Sequence, residues 1–265
     1  MNILNTIVRY KNKEVYNKAE LFPIKRLEQS LYFESDVVSL TKYLNRNDKS
    51  GIIAEFKRAS PSKGNINLYA DIKETSVGYM QAGASALSVL TDTHFFKGKD
   101  EDLTTARNLN FCPILRKDFI VSEYQIIEAK AIGADAILLI ARILTKAQII
   151  NFTTLARQLG LEVLLEIHEE SELDKYVEDI TLVGINNRNL DSFEVDFNRS
   201  IRLAEQLPSH VVKVAESGIT SYKDIEHLRA CGFQGFLIGE LFMKMPNPAL
   251  ACKQFINQIK NVSHA

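Results

Sequence analysis

The sequence predicts an α/β fold, a closed (β/α)8 TIM barrel with a helical extension at its N-terminus. Three observations predict it. First, one phrase recurs: a helix tail, a glycine and then a β-rich run. It appears as Gly83 before Ala86–Leu90, Gly133 before Ala136–Ile140, Gly160 before Val163–Glu166 and Gly232 before Gly235–Gly239. Second, these glycines are 50, 27 and 72 residues apart. Those spacings are close to two, one and three repeats of roughly 25 residues, the length of a short αβ unit. Third, the strand-like runs are continuously apolar, as strands of a parallel sheet covered on its outer face must be.

Taken in order, the first run is Ile52–Phe56 and the second Ala86–Leu90. Pro113–Arg116 fills the gap before Ala136–Ile140. Val163–Glu166, Thr181–Asn186, Val211–Ala215 and Gly235–Gly239 bring the count to eight. Helical segments between them include Ser122–Ala131, Lys146–Leu159, Ser171–Val177, Asn198–Gln206 and Tyr222–Ala230. A doubly wound open sheet is the alternative. It is disfavoured because no Gly-x-Gly-x-x-Gly turn follows the first strand. Residues 1–48 stand outside the repeat. Ile3, Leu4, Ile7 and Val8 recur at helical spacing, and Tyr32, Phe33, Val37, Val38, Leu40, Tyr43 and Leu44 suggest a second amphipathic stretch. They predict helices packed on the barrel, covering an end of it or lining the substrate entrance. No Gly/Ser-rich linker separates them, so residues 1–265 read as one barrel domain.

Composition narrows the function classes. Apolar residues make up 46% and charged residues 25%, the profile of an ordinary soluble globular chain. A net charge of −1 gives no global attraction for nucleic acid or an anionic membrane. No apolar run approaches the roughly 18 residues of a membrane span. Arg9, Lys11, Lys13 and Glu14 interrupt any secretory segment. Cys112, Cys231 and Cys252 are odd in number and far apart, which argues against a disulfide framework or a zinc site. Reduced core thiols fit a cytoplasmic location. No obligate protein partner is evident, so a monomer or weak homo-oligomer is the expectation.

In such barrels the active site lies at the C-terminal ends of the strands. The first strand delivers Glu55 and Lys57. Residues two apart in a strand share a face, so both point the same way as Ile53. The third strand delivers Lys117 and Asp118, the fifth Glu166, the sixth Asn186 and Arg188, and the seventh Glu216 and Ser217. Polar and ionisable groups at five exits converge on one rim. Burying them together requires mutual pairing or a polar ligand. A strand-end ion pair is the plain reading of Glu55 and Lys57 taken alone.

The last two loops point to phosphate. Glu216-Ser-Gly-Ile219 and Leu237-Ile-Gly-Glu-Leu241 place Gly218, Gly239 and the backbone of Glu240 where barrels often bind that group. Ser60 and Lys57 can add donors from the first loop. Tight turns alone would also account for Gly218 and Gly239.

These segments, in this order, resemble the indole-3-glycerol phosphate synthase family of tryptophan biosynthesis. The motifs are Ile53-Ala-Glu-Phe-Lys-Arg-Ala-Ser-Pro-Ser-Lys-Gly64, Leu90-Thr-Asp92 with Phe95-Phe-Lys-Gly98, and Pro113-Ile-Leu-Arg-Lys-Asp-Phe119. They continue as Leu164-Leu-Glu-Ile167, Gly184-Ile-Asn-Asn-Arg-Asn-Leu190, Val214-Ala-Glu-Ser-Gly-Ile219 and Phe236-Leu-Ile-Gly-Glu240. The resemblance implies one phosphorylated small-molecule substrate, 1-(2-carboxyphenylamino)-1-deoxyribulose 5-phosphate. It implies ring closure, decarboxylation and dehydration, with no cofactor and no metal.

By that resemblance Lys117 is the acid that protonates the keto oxygen, its pKa expected to be lowered by burial or neighbouring cations. Glu166 is the base of the dehydration and Glu55 shapes the network. Lys57 has three open roles: pairing with the substrate carboxylate, contacting the phosphate, or acting as acid. Asn186 and Arg188 orient hydroxyls and carboxylates, with Glu216 and Ser217 in similar parts. Pro61, Phe96, Phe119 and Leu138 are the candidates for an apolar slot around the anthranilate ring. Among the histidines, only His168, two residues past Glu166, stands close to this chemistry. Two rival readings remain: a phosphosugar aldolase with a Schiff-base lysine, and a non-catalytic phosphometabolite-binding barrel.

Overall fold

A computed structural model describes residues 3–189 and 194–262. Leu190 of the sixth motif and His264 lie outside the described residues. Eight parallel strands close a barrel: β1 (Ile52–Phe56), β2 (Ala86–Leu90), β3 (Ile114–Lys117), β4 (Ala136–Ile140), β5 (Glu162–Ile167), β6 (Leu182–Asn186), β7 (Val212–Glu216) and β8 (Gly235–Ile238). β8 returns to pair with β1, with Ile53 against Leu237. A small antiparallel ribbon, Ala59–Ser60 with Gly64–Asn65, folds the loop after β1. The four glycines of the recurring phrase all take positive φ, between 77° and 98°. Each ends a helix turn in a conformation that side chains disfavour.

Alternation along the strands builds two cores. Ile52, Ala54 and Phe56 of β1 face outward and pack with the helices. Ile53, Leu115, Leu138, Leu164, Leu182, Val212 and Leu237 fill the barrel interior. The inward face of each strand thus begins apolar. On five strands it becomes polar or ionisable near the top, because Glu55, Lys117, Glu166, Asn186 and Glu216 occupy last or next-to-last strand positions.

The N-terminal extension closes both ends. The helix Ile3–Leu21 puts Leu4 and Ile7 into the interior cluster, and Leu40 and Leu44 join it as well. Those two lie near the strand starts, since Leu44 packs against Gly235 and Ser39 Oγ donates to Glu162 at 2.7 Å. Lys11 projects from the first helix into a fully buried ion-pair cluster, 2.8 Å from Asp92 and 3.0 Å from Asp118.

Three sequence expectations are corrected. The stretch Tyr32–Leu44 is helical only over Leu40–Leu44. Val37 and Val38 lie outside any helix, and the Val38 N–H donates to Asp135 Oδ1 at 2.7 Å instead of to a preceding turn. Ser39 then caps the short helix by accepting from the Lys42 N–H. The segment expected as helix Ser171–Val177 is a 3-10 turn, Glu170–Lys175. Lys175 Nζ donates to the carbonyls of Ala141 and Leu144, which ties this short crossover to the neighbouring loop. The third strand is shifted by one residue, so Lys117 is its last member and not a loop residue.

Candidate active site

The charged upper layer of the barrel surrounds a cavity of about 260 Å³ at the C-terminal ends of the strands. Its wall includes each residue given a catalytic, substrate or phosphate role from the sequence: Glu55, Lys57, Ser60, Pro61, Phe96, Lys117, Phe119, Leu138, Glu166, Asn186, Arg188, Glu216, Ser217, Gly218, Gly239 and Glu240. Ile3, Leu4 and Ile7 complete the wall from the N-terminal helix. Sequence reasoning missed Ser62, Thr220 and Lys244, which also line it. Ser62 lies inside the first motif and Thr220 just past the motif ending at Ile219, and neither carried a spacing signal of its own. It missed Lys11 too, whose only signal was a cation inside an apolar helical stripe.

Lys117 stands at the centre. Its Nζ donates to Glu166 Oε2 at 3.1 Å and lies 3.5 Å from Glu216 Oε2. Burial alone would lower its pKa, but Glu166, Glu216 and Glu55 outweigh burial and hold it well above its ordinary value. That reverses the expectation of a lowered lysine: its neighbours are carboxylates, not cations. Burial would raise Glu166, yet Lys117, His168 and Asn186 hold it well below the usual carboxylate range. Glu216 goes the other way. Burial, then the negative charge of Glu166, push it up to about 8 despite Lys117. One ammonium, one carboxylate and one carboxylic acid therefore share a small buried volume at neutral pH. Ionisable groups pushed apart in this way are the usual basis for proton transfer in both directions.

Glu55 and Lys57 do form the strand-end ion pair, with Nζ 2.7 Å from Glu55 Oε1. They form it on the working rim. Ser88 Oγ donates to Glu55 Oε2 at 3.4 Å. Two glycines make room for these carboxylates. A β-carbon at Gly239 would sit 2.6 Å from Glu55 Oε1, and one at Gly184 would overlap Glu216 Oε1. Asn186 Nδ2 donates to Glu166 Oε1 at 3.1 Å, and its own Oδ1 accepts from the Arg188 N–H.

One side of the cavity is apolar. The Phe96 and Phe119 rings lie 5.9 Å apart, tilted at 43°, and buried Leu138 also lines the cavity. Asp92 orients Phe96 by capping its short helix, accepting the N–H groups of Phe95 and Phe96 at 2.7 and 3.2 Å. The opposite side is formed by the loops after β7 and β8. Ser217 and Gly218 both take positive φ there, at 68° and 75°. Gly239 starts the short helix Glu240–Met243. Glu240 faces cations, 3.4 Å from Lys63 Nζ and 3.8 Å from Arg188. The described residues offer no cluster suited to a metal ion.

Fold and site together define a TIM-barrel enzyme of acid–base chemistry, with an apolar slot facing a glycine-bearing loop pair. The family model for indole-3-glycerol phosphate synthase matches residues 4–255. A protein of that name from Bacteroides thetaiotaomicron is 47% identical over 98% of this chain and 99% of its own length. Another, from Caldanaerobacter subterraneus, is 41% identical over 97% and 99%. The chain belongs to the indole-3-glycerol phosphate synthase family. Among solved structures, thiamine phosphate pyrophosphorylase from Pyrococcus furiosus superposes with a TM-score of 0.62 at 14% identity, covering 84% of this chain and 99% of that one. The tryptophan synthase α subunit from Legionella pneumophila gives 0.60 at 11%, covering 84% and 98%. At such identities these two show the barrel alone.

Proposed function

We propose that this cavity closes the indole ring, converting 1-(2-carboxyphenylamino)-1-deoxyribulose 5-phosphate to indole-3-glycerol phosphate with loss of carbon dioxide and water. Family membership supports the reaction, and one observation carries the site: Lys117 held between Glu166 and Glu216 in the barrel-mouth cavity. The apolar slot of Phe96, Phe119, Leu138 and Pro61 receives the aromatic ring. The phosphate lies against Ser60, Gly218, Gly239 and the backbone of Glu240. That arrangement sets the keto carbon between slot and loops, over Lys117.

Lys117 donates its proton to the keto oxygen as the aromatic carbon attacks. Its raised pKa keeps the proton in place until that oxygen develops charge. Loss of carbon dioxide restores the ring's aromaticity. Glu166 then removes the proton whose departure accompanies loss of the hydroxyl. Lys57, steadied by Glu55, meets the substrate carboxylate and holds a further proton for the leaving hydroxyl. Asn186, Arg188, Glu216 and Ser217 orient the sugar.

A Schiff-base aldolase needs a neutral amine as nucleophile, and the carboxylates around Lys117 favour its ammonium form. No described helix is long and apolar enough to cross a membrane. Three free cysteines suit a cytoplasmic setting. The test is direct. Purified protein given the authentic substrate, without metal or nucleotide, forms indole-3-glycerol phosphate. A folded sample that yields none sinks the proposal.

A further inference from the structure

His168 does not line the cavity, yet it touches a residue that does. It follows β5, is 3% exposed, and its Nε2 lies 2.9 Å from Glu166 Oε1. The contact meets ion-pair distance but not hydrogen-bond alignment. Behind it, Glu172 Oε2 lies 3.6 Å from Nδ1 and accepts the His168 backbone N–H at 2.7 Å. Glu172 is itself buried, on the 3-10 turn that replaces the expected helix. The imidazole is thus fixed between two carboxylates by its own backbone and by the following turn.

The two oxygens of Glu166 consequently differ. Oε1 is occupied from the barrel wall by His168 and by Asn186 Nδ2. Oε2 faces Lys117. We propose that His168, backed by Glu172, is a positioning residue for Glu166, anchoring Oε1 so that Oε2 is the oxygen that exchanges protons in the reaction. This rests on Glu166 being the base.

Charge supports the geometry. Burial alone would lower His168, but Glu166 and Glu172 hold it up to about 9, so it is an imidazolium at neutral pH. A buried cation at Oε1 stabilises the ionised carboxylate. The other charged groups acting in this cluster are Lys117 from β3, Glu216 from β7 and Glu55 from β1. Loss of the imidazolium leaves Glu166 with Lys117 as its main cation, raises its pKa and frees Oε1 to move.

The experiment measures kcat and KM from pH 5 to 9 for His168→Ala, His168→Gln, Glu172→Gln and Glu166→Gln, with folding checked by circular dichroism. Glu166→Gln tests the base assignment alone: full turnover there removes the premise, whatever His168 does. With turnover abolished in that variant, His168→Ala lowers kcat by about 10- to 100-fold with KM nearly constant, as displacement of a reacting group does. His168→Gln keeps a neutral donor and recovers most of the plateau rate. Glu172→Gln lowers kcat by a smaller factor, again with KM nearly constant. If His168→Ala does not fold, the two glutamine variants decide. A parental kcat in folded His168→Gln and Glu172→Gln, or a loss that falls on KM instead of kcat, overturns the proposal.

Discussion

Lys117 Nζ lies 3.1 Å from Glu166 Oε2, and the bond crosses the barrel mouth from β3 to β5 with β4 between them. No local rule links residues on strands that do not pair. The contact exists because the barrel curves, and its inward faces meet across the interior.

Lys117→Met therefore does two things. Turnover falls by about 100- to 10,000-fold, the usual worth of a positioned proton donor. Stability falls in a pH-dependent way. Without the ammonium, the folded-state pKa of Glu166 loses its main depression and moves up, and that of Glu216 moves further above its unfolded value. A raised folded pKa means stability present at low pH and lost as pH rises. The variant is accordingly destabilised more at pH 8.5 than at pH 6, measured by urea unfolding. Equal losses at both pH values contradict the ion cluster described here.

Glu216 provides a complementary test. Its folded pKa of about 8 lies above an unfolded value of about 4.3. The folded state thus holds a proton that the unfolded state releases between those limits, and this group's contribution declines over that window. Glu216→Gln abolishes the decline. The stability of the variant relative to the parent should increase steadily from pH 5 to pH 8 and then level off. A flat difference would show that Glu216 titrates normally.

Gly239→Ala places a methyl 2.6 Å from Glu55 Oε1. The backbone there, at φ −123°, is not in the left-handed region that would itself exclude alanine. The collision instead displaces Glu55 from Lys57. Steady-state kinetics should show a loss of about tenfold or more in kcat/KM, with the melting temperature nearly unchanged. A large fall in melting temperature with normal kinetics would place the cost in packing.

Lys11→Met leaves Asp92 and Asp118 as buried carboxylates without their shared cation. Breaking such a cluster from one side costs about 3–5 kcal/mol. Because Asp92 also caps the helix bearing Phe96, the variant should show a raised KM beside its lowered stability. Denaturant titration and substrate saturation read the two effects separately.

Much of this was legible locally. The apolar runs and their glycine spacing reveal eight strands, and strand alternation aligns Glu55 with Ile53. The site residues were legible because strand ends are where a barrel collects its chemistry. What local patterns misjudged were the linkers. Val37 and Val38 look amphipathic in sequence, but the Asp135 carboxylate captures the Val38 N–H from about a hundred residues away. The length of the crossover after His168 was visible, yet its 3-10 geometry depends on carbonyls of another loop.

The sequence by itself determined the strand count, the identity of the groups at the barrel mouth and the side of each strand they occupy, since these follow from periodicity. Only the tertiary structure decided their protonation. Lys117 was expected to be lowered by burial and is raised, because three carboxylates from three other strands outweigh desolvation. Glu166 and Glu216 are chemically identical and end up on opposite sides of neutrality. The reason is physical: a pKa reports the charges that surround a group in space, and neighbours brought together by barrel closure are far apart along the chain.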